Sequence, residues 1–485
     1  MRFNHFSWNN YLQTERGRNA VKDFSLLEDC PDEISITFRY NAWMRLFYDN
    51  RKTTELMKMV LDDYWGFVIG NREAPATIEE SRQVYEEVIT NGLVIDGDVA
   101  VEKEDYQFAL TMNAWISWLL YQLAPEFFFP NIMEYQAINL YKIADAFDIE
   151  LPSLPKKSDY KARCMYYWEL CEVLYKFRKD NGLTPQELCA FLYDYAPNFI
   201  PKDDTDMPKP SQVWMIGGKV NDIDHVDKDF VFWQGNQETR KGDILIHYET
   251  SPVSAITHIW QAATDGMIDP FFNYYGCTYL TNRIDIPHIT LNEIKSDRYL
   301  STHPLVRKNF QGVNGWPLTA TDYAHIMRIL EWKGMDVSNL PKLNAATTNL
   351  RDDIKVEKDV EDLLLEPLLN DMGFHDYKRQ LPVKAGRGHR IIADYVLHYS
   401  DKHDDECARV LIEAKYHMKN PQEREAAFLQ ARSYAKLLGS SVIVLCDKES
   451  LFVYEQVFDR QKYTSFRWSE MTEPDTFNKL KKLLA

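Results

Sequence analysis

A charged segment with three prolines divides this chain into parts that have different hydrophobic patterns. Residues 201–212 read PKDDTDMPKPSQ, a composition typical of a linker. Before this segment, long stretches carry apolar residues at a spacing of three to four without sustained alternation, which indicates α-helices. After it, short apolar runs are separated by Gly, Asn, Asp and Pro, which indicates β-strands. The sequence therefore predicts an α-helical domain over residues 1–205 and a small β-rich domain over residues 206–335.

A third unit follows the polar stretch 336–353, which we interpret as a second linker. From residue 354 to 485 the pattern predicts an α/β unit, with strands 377–383, 390–398, 408–416, 441–446 and 451–455 and helices 357–371 and 422–438. Three domains also agree with a length of 485 residues, at about 150 residues per domain. The expected fold class is multidomain α+β, with a helical domain, a small β-barrel-like domain and a C-terminal α/β domain.

The negative charge is distributed unevenly along the chain. The net charge is −17, and residues 1–205 contribute −12 of it, with 21 Lys and Arg against 33 Asp and Glu. The remaining residues carry 35 basic against 40 acidic side chains, a net of −5. Net charge therefore argues against loose, non-specific DNA binding but leaves DNA open as a partner of the second part. The acidic helical domain is a candidate for binding a protein partner or for self-association.

Several features predict a soluble, cytoplasmic protein that does not enter a membrane. The seven cysteines form no CxxC pair, and their odd number suggests a reducing compartment. The first residues lack the apolar core of a signal peptide. The uncharged run 106–125 is long enough to span a bilayer, but it contains Asn113, Ser117 and Gln122, and acidic residues flank both of its ends. A buried helix is therefore the better prediction.

Two apolar strands of the third unit carry charged residues. Glu413-Ala414-Lys415 follows Val410-Leu411-Ile412, and side chains two apart on a strand share a face. Several acid-x-Lys patterns occur in the chain, and only the strand context distinguishes this one. Asp394 lies inside another apolar run, on what should be the neighbouring strand. Since buried charges need a partner or a metal, we predict that Asp394, Glu413 and the Ala414 carbonyl bind Mg²⁺ or Mn²⁺. An ion pair between Asp394 and Lys415 is the alternative.

The flanking helices contribute further candidates for this site. Glu357, on the first helix, could complete the metal shell, and Glu361, one turn later, competes with it for that role. A solvated helix face is the alternative for both. On the second helix, Gln430 and Tyr434 are four residues apart and share a face. Gln430 is either part of the site or a plain surface residue.

The order of these motifs resembles that of PD-(D/E)xK nucleases. The motifs are Glu357-x-x-Val360, Pro367-Leu368-Leu369, Gly373-Phe374, Ala393-Asp394-Tyr395, Ile412-Glu413-Ala414-Lys415 and Gln430-Ala431-x-x-Tyr434. More narrowly, residues 350–460 are similar to the N-terminal nuclease domain of type I restriction enzyme R subunits. The resemblance implies that Asp394 and Glu413 are metal ligands and that Lys415 is the catalytic lysine. It also implies that Glu357 is the helix carboxylate and Gln430 an accessory glutamine.

The chain departs from this family in two respects. Ala393 stands where the family usually has proline before the aspartate. In addition, no GxxxxGK[ST] motif occurs in the chain and no helicase motor follows the nuclease motifs. Cleavage coupled to translocation by this chain alone is therefore excluded.

Residues 206–335 resemble an EVE domain of the PUA-like class. The motifs are 213–216, 241–248, 309–312, 317–319 and 322–323. The family implies an aromatic cage that accepts a flipped, modified base, often a modified cytosine. The candidates for it are Trp214, Trp233, Tyr248, Trp260, Phe272 and Tyr275, and packing in the domain core is the alternative for each.

Lys378, Arg379 and Arg387 are candidate phosphate contacts, or else part of a solvated sheet edge.

The expected function is that of a Mg²⁺-dependent endonuclease that restricts modified DNA in defence against phage or other foreign DNA. A second hypothesis is a defence effector nuclease, acting on DNA or RNA, that a partner or small molecule releases. A third is a nucleic-acid-binding protein whose nuclease fold is inactive.

Overall fold

A computed structural model of the protein describes most of the chain. The described residues are 3–26, 72–90, 103–133, 136–200, 207–219, 230–271, 276–347, 354–384, 390–401, 406–457 and 459–485. The fold is mixed α+β, with a helical N-terminal region and two β-sheets. Contacts divide the chain into two compact units. The first contains Met1–Asp206, Phe232–Glu238 and Gly266–Tyr279, and the second contains Met207–Val231, Thr239–Asp265 and Leu280–Ala485.

The N-terminal region is helical, as its sequence pattern predicts. Its helices are α1 (His5–Gln13), α2 (Glu15–Asp23), α3 (Ile78–Ile89), α4 (Lys103–Thr111), α5 (Asn113–Leu123), α6 (Ala137–Phe147), α7 (Tyr160–Asp180), α8 (Pro185–Ala190) and α9 (Ala196–Phe199). Side-chain caps define several helix starts, and Thr184 with Glu187 forms a capping box at the start of α8. Helix α5 is buried from Asn113 to Tyr121, which confirms the buried-helix prediction for that stretch. Among the helices of the described residues, none combines the length and apolarity needed to cross a bilayer.

A seven-stranded sheet forms a half-barrel in the β-rich region. Its strands are β1 (Val213–Gly218), β2 (Val231–Gln234), β3 (Ile244–Glu249), β4 (Ala255–Ala262), β5 (Met267–Ile268), β6 (Gly276–Thr290) and β7 (Trp316–Leu318). The strand order is β2-β6-β4-β3-β1-β7, and β5 pairs with β6. Strands β1 and β3 are parallel, and β3 and β4 are antiparallel. The helices α10 (Leu291–Ser296), α11 (Pro304–Arg307) and α12 (Ala320–Trp332) follow in the chain.

The second sheet has six strands and contains the predicted nuclease motifs. It is preceded by α13 (Glu357–Val360) and α14 (Glu366–Asp371) and consists of β8 (Lys378–Lys384), β9 (Arg390–Ser400), β10 (Cys407–Ala414), β11 (Val442–Cys446), β12 (Ser450–Tyr454) and β13 (Thr464–Arg467). The order is β13-β12-β11-β10-β9-β8. Among the described strand pairs of this sheet, β10–β11 is parallel and the others are antiparallel, and α15 (Pro421–Leu438) makes the crossover between β10 and β11. The last helix is α16 (Pro474–Leu484).

Apolar side chains cover both faces of this sheet. One face packs against α13, α14 and α16, with Val410 and Ile412 of β10 in the same cluster as Leu364 and Phe477. The other face packs against α15 through residues that include Leu411 and Phe428. Strand β10 is therefore buried on both faces, which explains why its sequence reads as a continuous apolar run.

Two prolines in helices are each preceded by a π-helical turn. Pro367 follows the turn Glu361–Leu365, and Pro197 follows the turn Phe191–Tyr195. A proline inside an α-helix lacks the N–H that would donate to the preceding turn, and its ring crowds the carbonyl four residues earlier. The wider π turn relieves both problems locally. The helix predicted over residues 357–371 is thus interrupted by a π turn between α13 and α14.

We expect the packing of α15 on the sheet to contribute strongly to stability. Phe428 is 0% exposed on this helix, whereas its neighbour Leu429 is 43% exposed. Phe428→Ala should therefore destabilise the second unit by about 3–5 kcal/mol, and the control Leu429→Ala by less than about 0.5 kcal/mol. Urea unfolding followed by circular dichroism measures both. Equal midpoints for the two variants would show that α15 does not pack on the sheet as described.

Candidate functional site

The candidate site lies where β9 and β10 run side by side. These strands pair antiparallel, with Ile412 opposite Tyr395. In this register the next residue of each strand, Glu413 on β10 and Asp394 on β9, lies beside the other. The prediction that these two carboxylates lie on neighbouring strands is confirmed. Both belong to the second unit, as do all the groups described around them.

Glu413 is the buried centre of the site. Its side chain is almost fully buried, with 1% of the residue exposed. One carboxylate oxygen, Oε1, accepts hydrogen bonds from Lys415 Nζ at 2.7 Å and from Gln430 Nε2 at 2.6 Å. The other oxygen, Oε2, is buried and has no hydrogen-bond donor among the described residues. A buried carboxylate oxygen without a donor is costly, and a bound cation would satisfy it.

Burial raises the pKa of the Glu413 carboxyl to about 7. The negative charges of Asp394 and Glu357 add to this increase, and Lys415 opposes it through its hydrogen bond and its positive charge. Without a further cation, the site therefore holds Glu413 near the midpoint of its titration at neutral pH.

Lys415 pairs with Glu413 rather than forming the Asp394 ion pair that was the alternative prediction. Its ammonium lies 2.7 Å from Glu413 Oε1 and 3.9 Å from Glu357 Oε1. Burial lowers the pKa of Lys415, but the hydrogen bond and charge of Glu413, with the charges of Glu357 and Asp394, outweigh it and leave the pKa raised. Lys415 therefore stays a cation in the site.

Asp394 is held by a backbone amide and by a side chain that the sequence did not identify. Its Oδ2 accepts the Ala414 amide at 3.0 Å, and its Oδ1 accepts Gln380 Nε2 at 3.3 Å. Gln380 has a φ of 50°, a left-handed conformation that costs energy in a strand. No sequence signal distinguishes Gln380 from any other polar residue on an edge strand. The predicted metal role of the Ala414 carbonyl stays a prediction.

Three carboxylates converge at the edge of this site. One oxygen from each of Glu357, Glu361 and Asp394 lies within 4.8 Å of the others, a spacing that allows them to hold a metal ion. The structure thus places both competing helix residues, Glu357 and Glu361, beside Asp394. Burial raises the pKa of Glu361, with Arg379 opposing the increase and the charge of Asp394 adding to it.

Arg379 is engaged by carboxylates on the helical segment. Its guanidinium lies 2.8 Å from Glu361, 2.7 Å from Asp362 and 2.9 Å from Glu366. In this arrangement it orients Glu361, and its predicted phosphate contact would require it to leave these partners. Lys378 is exposed on β8, where a phosphate contact stays a prediction. Arg387 lies outside the described residues.

Most of the candidate base-binding aromatics that the structure describes are buried. Trp214 and Trp260 are each 2% exposed, and Trp214 Nε1 donates to the buried carboxylate of Asp243 at 3.0 Å. Tyr248 is 3% exposed and stacks on Phe310, with ring centroids 3.9 Å apart. These three side chains therefore pack in the domain core, as the alternative interpretation predicts, and do not form an open cage in this structure. Trp233 is half-buried, and Phe272 and Tyr275 lie outside the described residues.

The donor set of the site fits a hard divalent cation. Asp394, Glu357 and Glu361 offer convergent oxygens, and Glu413 Oε2 is buried without a donor among the described residues. Carboxylate oxygens are the ligands that Mg²⁺ and Mn²⁺ prefer. The residues present therefore fit Mg²⁺ or Mn²⁺, and the predicted set gains Glu361.

Comparisons with known proteins give no family for this chain. No family model matches it, and no curated protein matches it. Among solved structures it is similar to Rpa0253 from Rhodopseudomonas palustris, at 16% identity and a TM-score of 0.23 over 25% of this chain and 94% of that one. It is similar to a hypothetical protein from Leishmania major, at 17% identity and a TM-score of 0.22 over 27% and 98% of the chains. It is also similar to Atu2648 from Agrobacterium tumefaciens, at 16% identity and a TM-score of 0.23 over 27% and 97%.

The raised pKa of Glu413 predicts a loss of stability as the pH rises in the absence of divalent cations. The folded protein holds this proton up to a pKa of about 7, whereas the unfolded chain releases it near the ordinary value of 4.5. The stabilisation is thus complete below pH 4.5 and is lost as the pH rises through 7. Its size is on the order of 3 kcal/mol. Glu413→Gln should remove this pH dependence, as urea unfolding with chelator between pH 5 and about pH 8 would measure.

Glu455→Gln is the matched control, because Glu455 is exposed at the end of β12 in the same sheet. It should keep the wild-type dependence on pH. A Glu413→Gln protein with that same dependence would show that Glu413 is not the titrating group.

Proposed function

We propose that this protein is a Mg²⁺-dependent nuclease that cleaves phosphodiester bonds in DNA and that its third domain is a restriction-endonuclease-like fold. The observation that carries the proposal is the state of Glu413. One of its oxygens is held by Lys415 and Gln430, and the other is buried without a donor among the described residues. Asp394 and Glu357, two members of the group of three carboxylates, are near enough for their charges to raise the pKa of Glu413. A structural ion pair alone would leave that second oxygen unexplained.

In this proposal Asp394 and Glu413 hold Mg²⁺ or Mn²⁺, with Glu357 or Glu361 completing the protein ligands. The bound ion would supply a water of lowered pKa and would neutralise charge on the phosphate. The ion also removes the reason for Glu413 to remain protonated, since a neighbouring divalent charge favours the carboxylate.

The side chains around the ligands have distinct proposed roles. Lys415 is a cation at the end of β10, where its ammonium stabilises the negative charge that builds on the phosphate oxygens in the transition state. Gln430 holds Oε1 of Glu413 at 2.6 Å and so fixes the direction of Oε2. Gln380 Nε2 donates to Oδ1 of Asp394 and the Ala414 amide donates to Oδ2, and these hydrogen bonds fix the orientation of the Asp394 carboxylate. Arg379 positions Glu361.

We further propose that cleavage depends on a modified base, often a modified cytosine, read by the EVE-like domain over residues 206–335, in defence against foreign DNA. This part is supported by the sequence resemblance and by the occurrence of both motif sets in one chain. Because Trp214, Tyr248 and Trp260 are buried, Trp233 is the described aromatic candidate with part of its surface accessible. The acidic helical region is proposed to bind a protein partner or a second copy of the chain.

Lys415→Ala should separate catalysis from binding. The cleavage rate should fall by at least about a hundredfold, because an electrostatic stabiliser of the transition state is lost. DNA affinity should change little, since other basic groups supply it. Mg²⁺ affinity should also hold, whereas Asp394→Ala should stop cleavage through loss of metal binding. Single-turnover cleavage, a DNA-binding assay and Mg²⁺ titration measure these effects, with the exposed Lys479→Ala on α16 as the control. A folded Lys415→Ala protein that cuts DNA at the wild-type rate would refute the assignment.

A panel of modified and unmodified DNA tests the substrate. With Mg²⁺, the protein should cut DNA that carries the recognised modification and leave matched unmodified DNA intact. Equal cutting of both would contradict the modification-dependent part, and cutting of RNA would favour the effector nuclease. Absence of cutting on every substrate, by a protein that binds them, would favour the inactive binding protein. The same panel with Trp233→Ala tests whether this residue reads the base.

A further inference from the structure

A second group of metal-ligating side chains lies on the half-barrel sheet. His247 and Glu249 are two residues apart on β3, and His258 lies on β4 directly opposite His247. The pairing of these strands is irregular between His247 and Tyr248. Such irregularities change the direction of side chains and are frequent beside functional sites. All three residues are buried, with 0% of His247, 6% of Glu249 and 7% of His258 exposed.

The geometry of these three residues is close to that of a metal site. One ligand atom from each lies within 4.8 Å of the others, and His258 Nδ1 is 3.8 Å from Glu249 Oε1. Tetrahedral Zn²⁺ with bonds of about 2.0–2.1 Å to nitrogen and oxygen needs its ligand atoms about 3.3–3.5 Å apart. A movement of about half an ångström therefore brings this pair to coordination distance.

The surroundings of His258 resemble the supporting shell of a metal ligand. Its Nε2 lies 3.2 Å from Asp285 Oδ1, and a carboxylate in this position would accept a proton from Nε2 when Nδ1 binds a metal. Arg283 donates through Nε to the same oxygen at 2.8 Å and through Nη2 to His258 Nε2 at 2.8 Å, so that Nε2 is an acceptor here and the ring proton is on Nδ1. Thr257 Oγ1 lies 2.7 Å from His258 Nδ1 and 3.4 Å from His247 Nδ1.

We propose that His247, Glu249 and His258 bind one divalent transition-metal ion of the Zn²⁺ class. Binding of the ion at His258 Nδ1 would displace the Thr257 hydroxyl and move the ring proton from Nδ1 to Nε2, where Asp285 accepts it. Arg283 Nη2 would then leave Nε2, while its Nε keeps its hydrogen bond to Asp285. Two imidazoles with one carboxylate favour Zn²⁺, Co²⁺ or Ni²⁺ over Mg²⁺, which prefers oxygen ligands alone. Three protein ligands leave a further position for water or for an atom of a bound molecule. This site is chemically distinct from the carboxylate site and does not depend on the proposed nuclease activity.

Cobalt substitution tests this site without any assay of activity. The full-length protein, stripped of metal with a chelator, is titrated with Co²⁺, which gives a strong visible absorption in a tetrahedral site with nitrogen and oxygen ligands. We expect a one-to-one end point and loss of the absorption when Zn²⁺ is added. Glu249→Gln and His258→Ala should each weaken Co²⁺ binding by at least about a hundredfold, and Asp285→Asn by about tenfold.

Two controls keep the result specific. His288→Ala removes an exposed histidine from the same sheet, and Glu413→Gln removes a carboxylate from the other site, so neither should change the Co²⁺ absorption. Circular dichroism establishes that each variant is folded, and the nearly isosteric Glu249→Gln guards against a packing defect. Absence of the absorption in the wild-type protein, an unchanged affinity in folded Glu249→Gln, or loss of the absorption in Glu413→Gln would overturn the proposal.

Discussion

The burial of the Glu413 carboxylate at the end of β10 is the constraint on which the rest of the candidate site depends. A carboxylate with 1% exposure must be neutralised, hydrogen-bonded or bound to a cation. Lys415 and Gln430 meet this need at one oxygen and leave the other for a ligand. Burial raises the pKa of Glu413 to about 7, which indicates that Lys415 and Gln430 compensate its negative charge only in part. A bound cation, as proposed, would complete this compensation, so that the stability of the site and its proposed chemistry would depend on the same group.

The six-stranded sheet explains why these groups meet. The parallel pair β10–β11 requires a crossover, and the crossover helix α15 carries Gln430 over the end of β10. Antiparallel pairing of β9 with β10 brings Asp394 alongside. Earlier in the chain, the π turn before Pro367 begins at Glu361, and an ion pair with Arg379 holds the Glu361 carboxylate in place. Each carboxylate thus comes from a different element, and the fold fixes them relative to one another.

The sequence predicts most of this sheet because its apolar runs are long and their boundaries are marked. The strands and helices between residues 357 and 454 lie within two residues of their predicted bounds. β13 and α16 were not predicted, and β6 continues to Thr290 through Pro287 and through consecutive exposed residues, which hide the strand pattern. Gln380 was missed because nothing local marks it. The buried aromatics of the half-barrel show that residue type alone cannot separate a binding cage from a core.

The route of the chain through this sheet has a consequence for protein synthesis. The ribosome delivers residues in order, and strand β10 has one neighbour, β9, that precedes it and another, β11, that follows it after the whole of α15. Glu357, Asp394 and Glu413 therefore leave the ribosome before Gln430 and before β11. The growing chain passes through a stage in which the acidic groups are exposed and unassembled. The site can assemble only after β11 has left the ribosome, so that a nascent chain that ends before β11 lacks the complete set of groups.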